Sequence, residues 1–185
     1  MTGPTRKIGS ASVPAIGYGA MGLAAFYGTP KSQKECDEVF SHLIKNGCTH
    51  WDTSDIYSSG DFGGLGENET QIGKFFAANK GAREKVFLAS KHIFTISPKG
   101  ERGMQAGSAE YAKEACNNSL KRLGTDHLDL FYLHRPSEPI EESIKGMKEL
   151  KDEGKIRAIG VSEYNVEQLE RANKVAHIDA LQIGE

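Results

Sequence analysis

One stretch of the sequence organises the chain: His50-Trp51-Asp52-Thr53-Ser54-Asp55-Ile56-Tyr57. The apolar run that begins at Gly47 ends abruptly in the acid Asp52, and Tyr57 follows five residues later. The glycine-rich, polar run 58–66 comes next. This pattern predicts a strand that ends at Asp52 and a loop that carries two side chains able to exchange protons.

Strand and helix patterns alternate along the chain. Short apolar runs predict six strands, at residues 15–19, 47–52, 86–91, 128–134, 156–161 and 180–183. Apolar residues at helical spacing predict five helices, which follow Ser32, cover 68–78, follow Ser108, begin at Pro139 and follow Asn165. Residues 6–17 favour a small hairpin, and residues 97–107 are predicted to form a polar loop.

The predicted helix ends carry residues typical of caps. Ser32 and Glu35 have the spacing of a capping box, in which each side chain satisfies a free backbone amide. Gly47 and Gly124 are suited to end helices, and Pro139 is suited to a first helical turn.

Strict alternation of strands and helices indicates a parallel sheet with right-handed crossovers. Either a (β/α)8 barrel or an open doubly wound sheet fits this order. A complete barrel needs eight strands and about 250 residues. Under the barrel interpretation, residues 1–185 form part of a single domain with about six of the eight β/α units. The two unpaired edges of such a sheet would favour self-association.

One motif favours the doubly wound alternative. Residues 17–22, Gly-Tyr-Gly-Ala-Met-Gly, match the dinucleotide-binding pattern G-x-G-x-x-G, which would place Asp52 on a ribose. That motif should open a helix directly, but Gly28, Pro30 and the cap at Ser32 intervene. Its acid should lie about 20 residues further on, and Asp52 is more distant. A flexible turn after a strand is therefore the preferred interpretation.

The predicted strands end in residues with complementary chemistry. The second, third and fourth strands end in Asp52, Lys91 and His134, and Tyr57 lies in the loop beyond the second. Parallel strands lie about 4.8 Å apart, so we expect these side chains to meet at one site. An ammonium beside a phenol stabilises the phenolate, and a carboxylate holds the ammonium in place. Asp55 competes for the acid's role, but Asp52 is preferred because it ends the strand.

Composition excludes several classes of protein. The net charge of −2 offers no electrostatic basis for binding nucleic acid or a membrane surface. No apolar run approaches the roughly 20 residues that a membrane helix needs, and no signal sequence is evident at the start. Three widely spaced cysteines predict reduced thiols and a cytoplasmic location. The six histidines show no paired ligand spacing, so no metal site is expected.

Beyond these patterns, the sequence resembles the aldo-keto reductases, in particular the branch that includes pyridoxal and perakine reductases. The matching stretches follow the family order and span nearly the whole chain. They are residues 17–22, 52–57, 66–69, 90–91, 119–123, 129–135 and 153–163.

The resemblance implies a (β/α)8 barrel that binds NADPH and reduces an aldehyde or a ketone. It implies a catalytic tetrad of Asp52, Tyr57, Lys91 and His134, in which Tyr57 is the general acid and His134 orients the carbonyl group. An alternative within the family is a cofactor-sensing binding protein without turnover, as the potassium-channel β subunits are.

The resemblance also implies a set of cofactor contacts. A serine, its neighbour and a glutamine hold the nicotinamide amide, and the residues after the first strand line the cofactor channel. The corresponding residues are Gly19, Ala20, Met21, Asp52, Ser162, Glu163 and Gln182. Many relatives have asparagine where Glu163 stands, and a carboxylate can accept but not donate a hydrogen bond. Phe26, Tyr27 and His92 are candidates for the substrate pocket.

The basic stretch that grips the 2′-phosphate and adenine in the family lies well beyond the sixth strand. We therefore expect the 185-residue chain alone to bind NADPH weakly and to turn over slowly or not at all. A fluorescence titration with NADPH tests this expectation, and tight binding by the isolated chain would contradict it.

Overall fold

The computed structural model describes residues 3–59, 64–97 and 101–184, and strands and helices alternate in these ranges. The strands are β1 (Thr5–Ile8), β2 (Ala11–Pro14), β3 (Tyr18–Gly19), β4 (His50–Asp52), β5 (Phe87–His92), β6 (Phe94–Ile96), β7 (Arg102–Met104), β8 (Leu128–Leu133), β9 (Ile156–Ser162) and β10 (Ala180–Gln182). The α-helices are α1 (Gln33–Lys45), α2 (Glu67–Ala78), α3 (Ala109–Leu123), α4 (Ile140–Asp152) and α5 (Val166–Val175).

The main sheet has six parallel strands in the order β3-β4-β5-β8-β9-β10. Each strand lies beside the strand that follows it along the chain, apart from the separate β6–β7 hairpin. The order therefore never reverses, whereas a doubly wound sheet reverses at its switch point. The doubly wound alternative is wrong, and the predicted incomplete (β/α)8 barrel is confirmed.

The glycine-rich segment after the first strand does not bind a dinucleotide in the predicted alternative way. A short 3-10 helix, Ala20–Leu23, follows β3, and α1 begins only at Gln33. No α-helix N-terminus therefore stands directly behind Gly17 and Gly19, as the pyrophosphate-binding motif requires.

The predicted caps are present, with one shift. Ser32 and Glu35 form a reciprocal capping box, and the Asn165 side chain accepts a hydrogen bond from the backbone of Gln168. Gly124 ends α3 with a φ of 64°. Pro139 does not lie in the first turn but one residue before it, with an extended backbone. It therefore acts as the N-cap of α4.

Two other predictions are corrected. The first sheet strand covers only Tyr18–Gly19 because Ala15 donates its backbone N–H to Pro4 at 2.9 Å and so belongs to the N-terminal hairpin. The predicted loop 97–107 contains β7, which pairs with β6 in an antiparallel hairpin. The residues of β7, Arg-Gly-Met, have no apolar alternation, so periodicity could not reveal this strand. Residues 98–100 of that loop lie outside the described ranges.

The strand β4 has two faces with different roles. Trp51 is fully buried against the helix layer, where its ring lies 4.8 Å from Phe40 of α1 and 5.9 Å from Phe76 of α2. Successive side chains on a strand point to opposite faces. The neighbouring Asp52 therefore points into the barrel, so the packing of Trp51 fixes the direction of Asp52.

The contact between α3 and α4 depends on a residue without a side chain. A Cβ atom at Gly146 would lie 2.6 Å from the backbone oxygen of Ala109. We expect Gly146→Ala to lower the free energy of unfolding by about 1–2 kcal/mol in urea denaturation, because overpacking outweighs the gain in helix propensity. Ser41→Ala, on the exposed face of α1, is the control and should not destabilise the fold. Stabilisation by Gly146→Ala would contradict this account of the contact.

Candidate active site

Lys91 of β5 lies at the centre of the polar cluster inside the barrel. Its Nζ atom donates hydrogen bonds to Asp52, to Tyr57 Oη at 2.9 Å and to the backbone oxygen of Thr53 at 3.0 Å. These three acceptors use all three protons of the ammonium group. Lys91 is 1% exposed, so the cavity does not solvate its charge. The geometry brings together three of the four side chains predicted at the strand ends, and Asp52 rather than Asp55 holds the lysine.

The charge of Lys91 is maintained by its partners. Burial, the largest single effect, would lower its pKa, but Asp52 and Tyr57 raise that pKa above its ordinary value of 10.5. The side chain is therefore an ammonium ion at neutral pH.

His134, the residue after β8, completes the cluster. Its ring lies 5.8 Å from the ring of Tyr57, at 85° between the planes, and 5.1 Å from Phe94. Burial, followed by the positive charge of Lys91, lowers the pKa of His134 to about 3. The imidazole is therefore neutral at neutral pH, with a single ring proton.

Ser54 contacts one nitrogen of the His134 ring. Ser54 Oγ lies 3.0 Å from His134 Nδ1 and 3.3 Å from Asp55 Oδ1. Burial, with a contribution from Glu69, raises the pKa of Asp55 well above its ordinary value. The Ser54 hydroxyl donates to Asp55 Oδ1 and reaches the backbone oxygen of Lys91 at 3.4 Å, and its contact with His134 Nδ1 takes its direction from the tautomer of the ring.

A cavity of about 810 Å³ opens beside this cluster. Most of the predicted site residues line it, namely Met21, Asp52, Tyr57, His134, Ser162, Glu163 and Gln182. Gly19 and Ala20 do not line it: Gly19 is exposed and pairs with Asp52 in the sheet, and Ala20 is buried. Lys91 does not line the cavity, but it contacts Asp52 and Tyr57, which do.

The three candidates for the substrate pocket separate in the structure. Phe26 lines the cavity, whereas Tyr27 is 72% exposed outside it. His92 is fully buried on the face of β5 opposite Lys91, where its ring stacks 4.5 Å from Phe131. The prediction that His92 lines the pocket is therefore wrong. Side chains alternate along a strand, so the residue next to the inward-pointing Lys91 must point towards the helices.

The residues at the ends of β9 and β10 have the donors and acceptors that a carboxamide needs. The Ser162 hydroxyl and the Gln182 amide both line the cavity, and each can donate and accept. Glu163 has a φ of 59° and donates its backbone N–H to Gln182 at 2.9 Å. Its Oε1 accepts from Gly184 at 2.8 Å. Ser162 Oγ accepts from Arg135 and Gln182 Nε2 donates to Asp52, each at 3.4 Å, so all three residues are partly engaged within the protein.

The sequence of residues 15–184 matches the model of the aldo/keto reductase family. The chain belongs to the aldo/keto reductase family. Curated relatives include the aldo-keto reductase yakc [NADP(+)] of Schizosaccharomyces pombe, 42% identical over 99% of this chain. The aldo-keto reductase str7 of Strobilurus tenacellus is 42% identical over 97% of this chain. The chain spans about half the length of these two relatives, 52% and 51%.

Solved reductase structures share the fold. The holo form of aldo-keto reductase AKR11C1 from Bacillus halodurans superposes with a TM-score of 0.80 at 30% identity. The similarity covers 98% of this chain and 57% of that protein. The pyridoxal and perakine reductase branch stays a prediction.

Two further properties follow from the described parts of the reductase-family chain. No group of three or more His, Cys, Asp or Glu side chains in them could hold a metal ion. Among the described helices, none is long and apolar enough to cross a membrane.

Sequence reasoning missed residues whose roles depend on the loops. Ser54 was visible in the opening stretch, but no pattern indicated its contact with His134, 80 residues away. Phe94, Arg102 and Met104 reach the cavity because β6 and β7 form a hairpin. These three residues could have been predicted to line the cavity only if the hairpin had been predicted.

The buried ion pair makes a prediction about stability. Asp52→Asn should lower the free energy of unfolding at pH 7 by about 3 kcal/mol, because a buried ammonium ion loses its carboxylate. In the unchanged protein, folding raises the pKa of Lys91. The stability that Lys91 contributes is therefore present below about pH 10.4, the pKa of an unfolded lysine, and is lost as the pH rises above that.

In the Asp52→Asn variant, the effect of pH on the stability contributed by Lys91 has the opposite direction. Burial then dominates and lowers the pKa of folded Lys91, so the unfolded chain binds the proton more strongly. The stability deficit should therefore shrink as the pH rises towards 10, which urea denaturation at several pH values measures. Asp152→Asn, which removes the partner of Lys148 at the surface, is the matched control. An equal loss in both variants would contradict the account.

Proposed function

We propose that this chain carries the catalytic part of an NADPH-dependent reductase that converts an aldehyde or a ketone to an alcohol. One observation carries the proposal: a buried ammonium group, Lys91, contacts the Asp52 carboxylate and donates to the Tyr57 hydroxyl oxygen at 2.9 Å. Residues 1–185 are proposed to be one part of a single barrel domain.

Tyr57 is the proposed general acid. It lines the cavity, so its hydroxyl group can donate to a carbonyl oxygen that enters. When the proton leaves, negative charge develops on the phenol oxygen, and Lys91 already donates a hydrogen bond to that atom. Asp52 keeps Lys91 charged and in position. This arrangement stabilises the product of proton transfer before the reaction starts.

His134 is proposed to orient the carbonyl group. Because its pKa is lowered to about 3, it is a neutral hydrogen-bond donor and does not compete with Tyr57 as the proton source. In the proposed tautomer, Nδ1 accepts from the Ser54 hydroxyl 3.0 Å away, which leaves the proton on Nε2 for a carbonyl oxygen. Two donors, one from Tyr57 and one from His134, would then fix the position of that oxygen.

Ser162 and Gln182 are proposed to hold the nicotinamide amide, with Glu163, Gly19, Ala20, Met21 and Asp52 as the further cofactor contacts predicted from the family. When bound, the cofactor supplies the hydride for the carbonyl carbon. The name of the relative from Schizosaccharomyces pombe includes NADP(+), which supports NADPH over NADH as the proposed cofactor.

Removing one hydroxyl group tests the role of Tyr57. We expect Tyr57→Phe to lower the single-turnover rate of aldehyde reduction by about 10²–10⁴, the usual contribution of a general acid. The dissociation constant of NADPH should stay within about twofold, because the cofactor contacts remain. Stopped-flow NADPH fluorescence measures both.

Tyr27→Phe is the matched control, because it removes a hydroxyl group outside the cavity. Its rate should equal that of the unchanged protein. An unchanged rate in Tyr57→Phe would refute the role of Tyr57. Tight NADPH binding with no turnover of any aldehyde in the unchanged protein would favour the cofactor-sensing alternative.

A further inference from the structure

Two arginines line the cavity without a carboxylate partner among the described residues. Arg102 of β7 lies with its guanidinium carbon 5.3 Å from the centre of the Phe26 ring, and it donates to the Ser58 backbone oxygen at 3.4 Å. Arg135 donates to the backbone oxygen of His134 at 2.8 Å and to Ser162 Oγ at 3.4 Å. Both guanidinium groups are thus held in place by neutral groups.

Most of the other arginines are paired with acids. Four other arginines, Arg83, Arg122, Arg157 and Arg171, each lie within ion-pair distance of a carboxylate. A guanidinium group has five N–H donors in a planar fork that matches a carboxylate or a phosphate. Within residues 3–59, 64–97 and 101–184, Arg102 and Arg135 use few of these donors, and the others can serve a ligand.

Neither acid of the cavity wall lies within ion-pair distance of Arg102 or Arg135. Asp52 is bound to the buried Lys91, and Glu163 Oε1 accepts from the backbone of Gly184 at 2.8 Å. The remaining walls are largely apolar, formed by Phe26, Ile56, Phe94 and Met104. A ligand that fits this lining has an apolar body and one negatively charged end.

We propose that Arg102 and Arg135 bind an anionic group on the substrate, so that the site prefers aldehydes and ketones that carry a carboxylate. This inference rests on the proposed function, because it takes the reacting carbonyl to lie at Tyr57 and His134. The apolar body of the substrate then packs on Phe26 and Phe94, and the carboxylate meets the guanidinium groups.

The cofactor phosphates are a second source of negative charge. The proposed nicotinamide contacts, Ser162 and Gln182, lie at the ends of β9 and β10. Arg102 instead lies on the β6–β7 hairpin, whose Phe94 contacts His134. Arg102 is therefore assigned to the side of the proposed carbonyl site. Arg135 follows His134 in the chain and donates to Ser162 Oγ at 3.4 Å, so it lies between that site and the proposed nicotinamide contacts.

A pair of matched probes tests the proposal without requiring turnover. 4-Carboxybenzaldehyde and benzaldehyde differ only in the carboxylate, and their binding to the chain is measured by NMR titration without cofactor. We expect the carboxylate probe to bind about tenfold more tightly, the typical effect of a charge-assisted hydrogen bond. Arg102→Gln and Arg135→Gln should each reduce this ratio at least about threefold while leaving benzaldehyde binding unchanged.

Arg6→Gln is the control, because it removes the same charge from an exposed arginine far from the cavity, and it should keep the full ratio. Equal binding of the two probes, or binding of neither, would overturn the proposal. The proposal would also be overturned if the arginine variants lost only affinity for NADPH, measured in a parallel titration, because that result would assign the arginines to the cofactor. The ratio should also persist in Tyr57→Phe. A carboxylate preference in a protein whose Tyr57→Phe variant reduces aldehydes as fast as the unchanged protein would refute the proposed role of Tyr57 and leave this inference standing.

Discussion

The structure depends on one buried charge. An ammonium ion removed from water costs several kcal/mol unless partners compensate it. Lys91 has a carboxylate, a phenol and a backbone carbonyl as partners, and each comes from the segment 52–57. The contacts that satisfy this one side chain therefore help to hold the loop after β4, together with backbone hydrogen bonds such as that from Thr53 to Ala89. The same contacts place Tyr57 at the wall of the cavity, so the interaction that stabilises the loop also prepares the proposed proton transfer.

The parallel sheet makes this arrangement possible through alternation. On β4, Trp51 packs against the helices and Asp52 points inwards, and on β5 His92 packs outwards while Lys91 points inwards. Parallel pairing sets Asp52 opposite Ala89, two residues before Lys91, so the lysine can extend to the acid. A shift of one residue in either strand would bury the acid or the lysine among apolar helix residues. The apolar packing on the outer face thus protects the polar geometry on the inner face.

The fold and the centre of the site could be predicted from sequence because they follow local rules. Apolar runs and caps located the six sheet strands and the helices, and the carboxyl ends of those strands identified Asp52, Lys91 and His134. What could not be predicted depends on contacts between distant segments. The β6–β7 hairpin has too little apolar alternation to be recognised, so the contributions of Phe94, Arg102 and Met104 to the cavity were missed. His92 was misplaced because its position next to Lys91 suggested proximity, whereas alternation put it on the opposite face. Ser54 lies in the most informative stretch of the sequence, but its partner His134 becomes a neighbour only when β4, β5 and β8 pair.

The ionisation of Lys91 tests the central claim most directly. NMR of protein labelled with ¹³C at the lysine side chains follows the charge of each amine as the pH is raised, and a Lys91→Arg variant assigns the signal. We expect Lys91 to remain an ammonium ion at neutral pH and to titrate above its ordinary pKa of 10.5. A Lys91 that titrates below that value would contradict this expectation, because burial would then outweigh the effect of Asp52 and Tyr57 on its pKa.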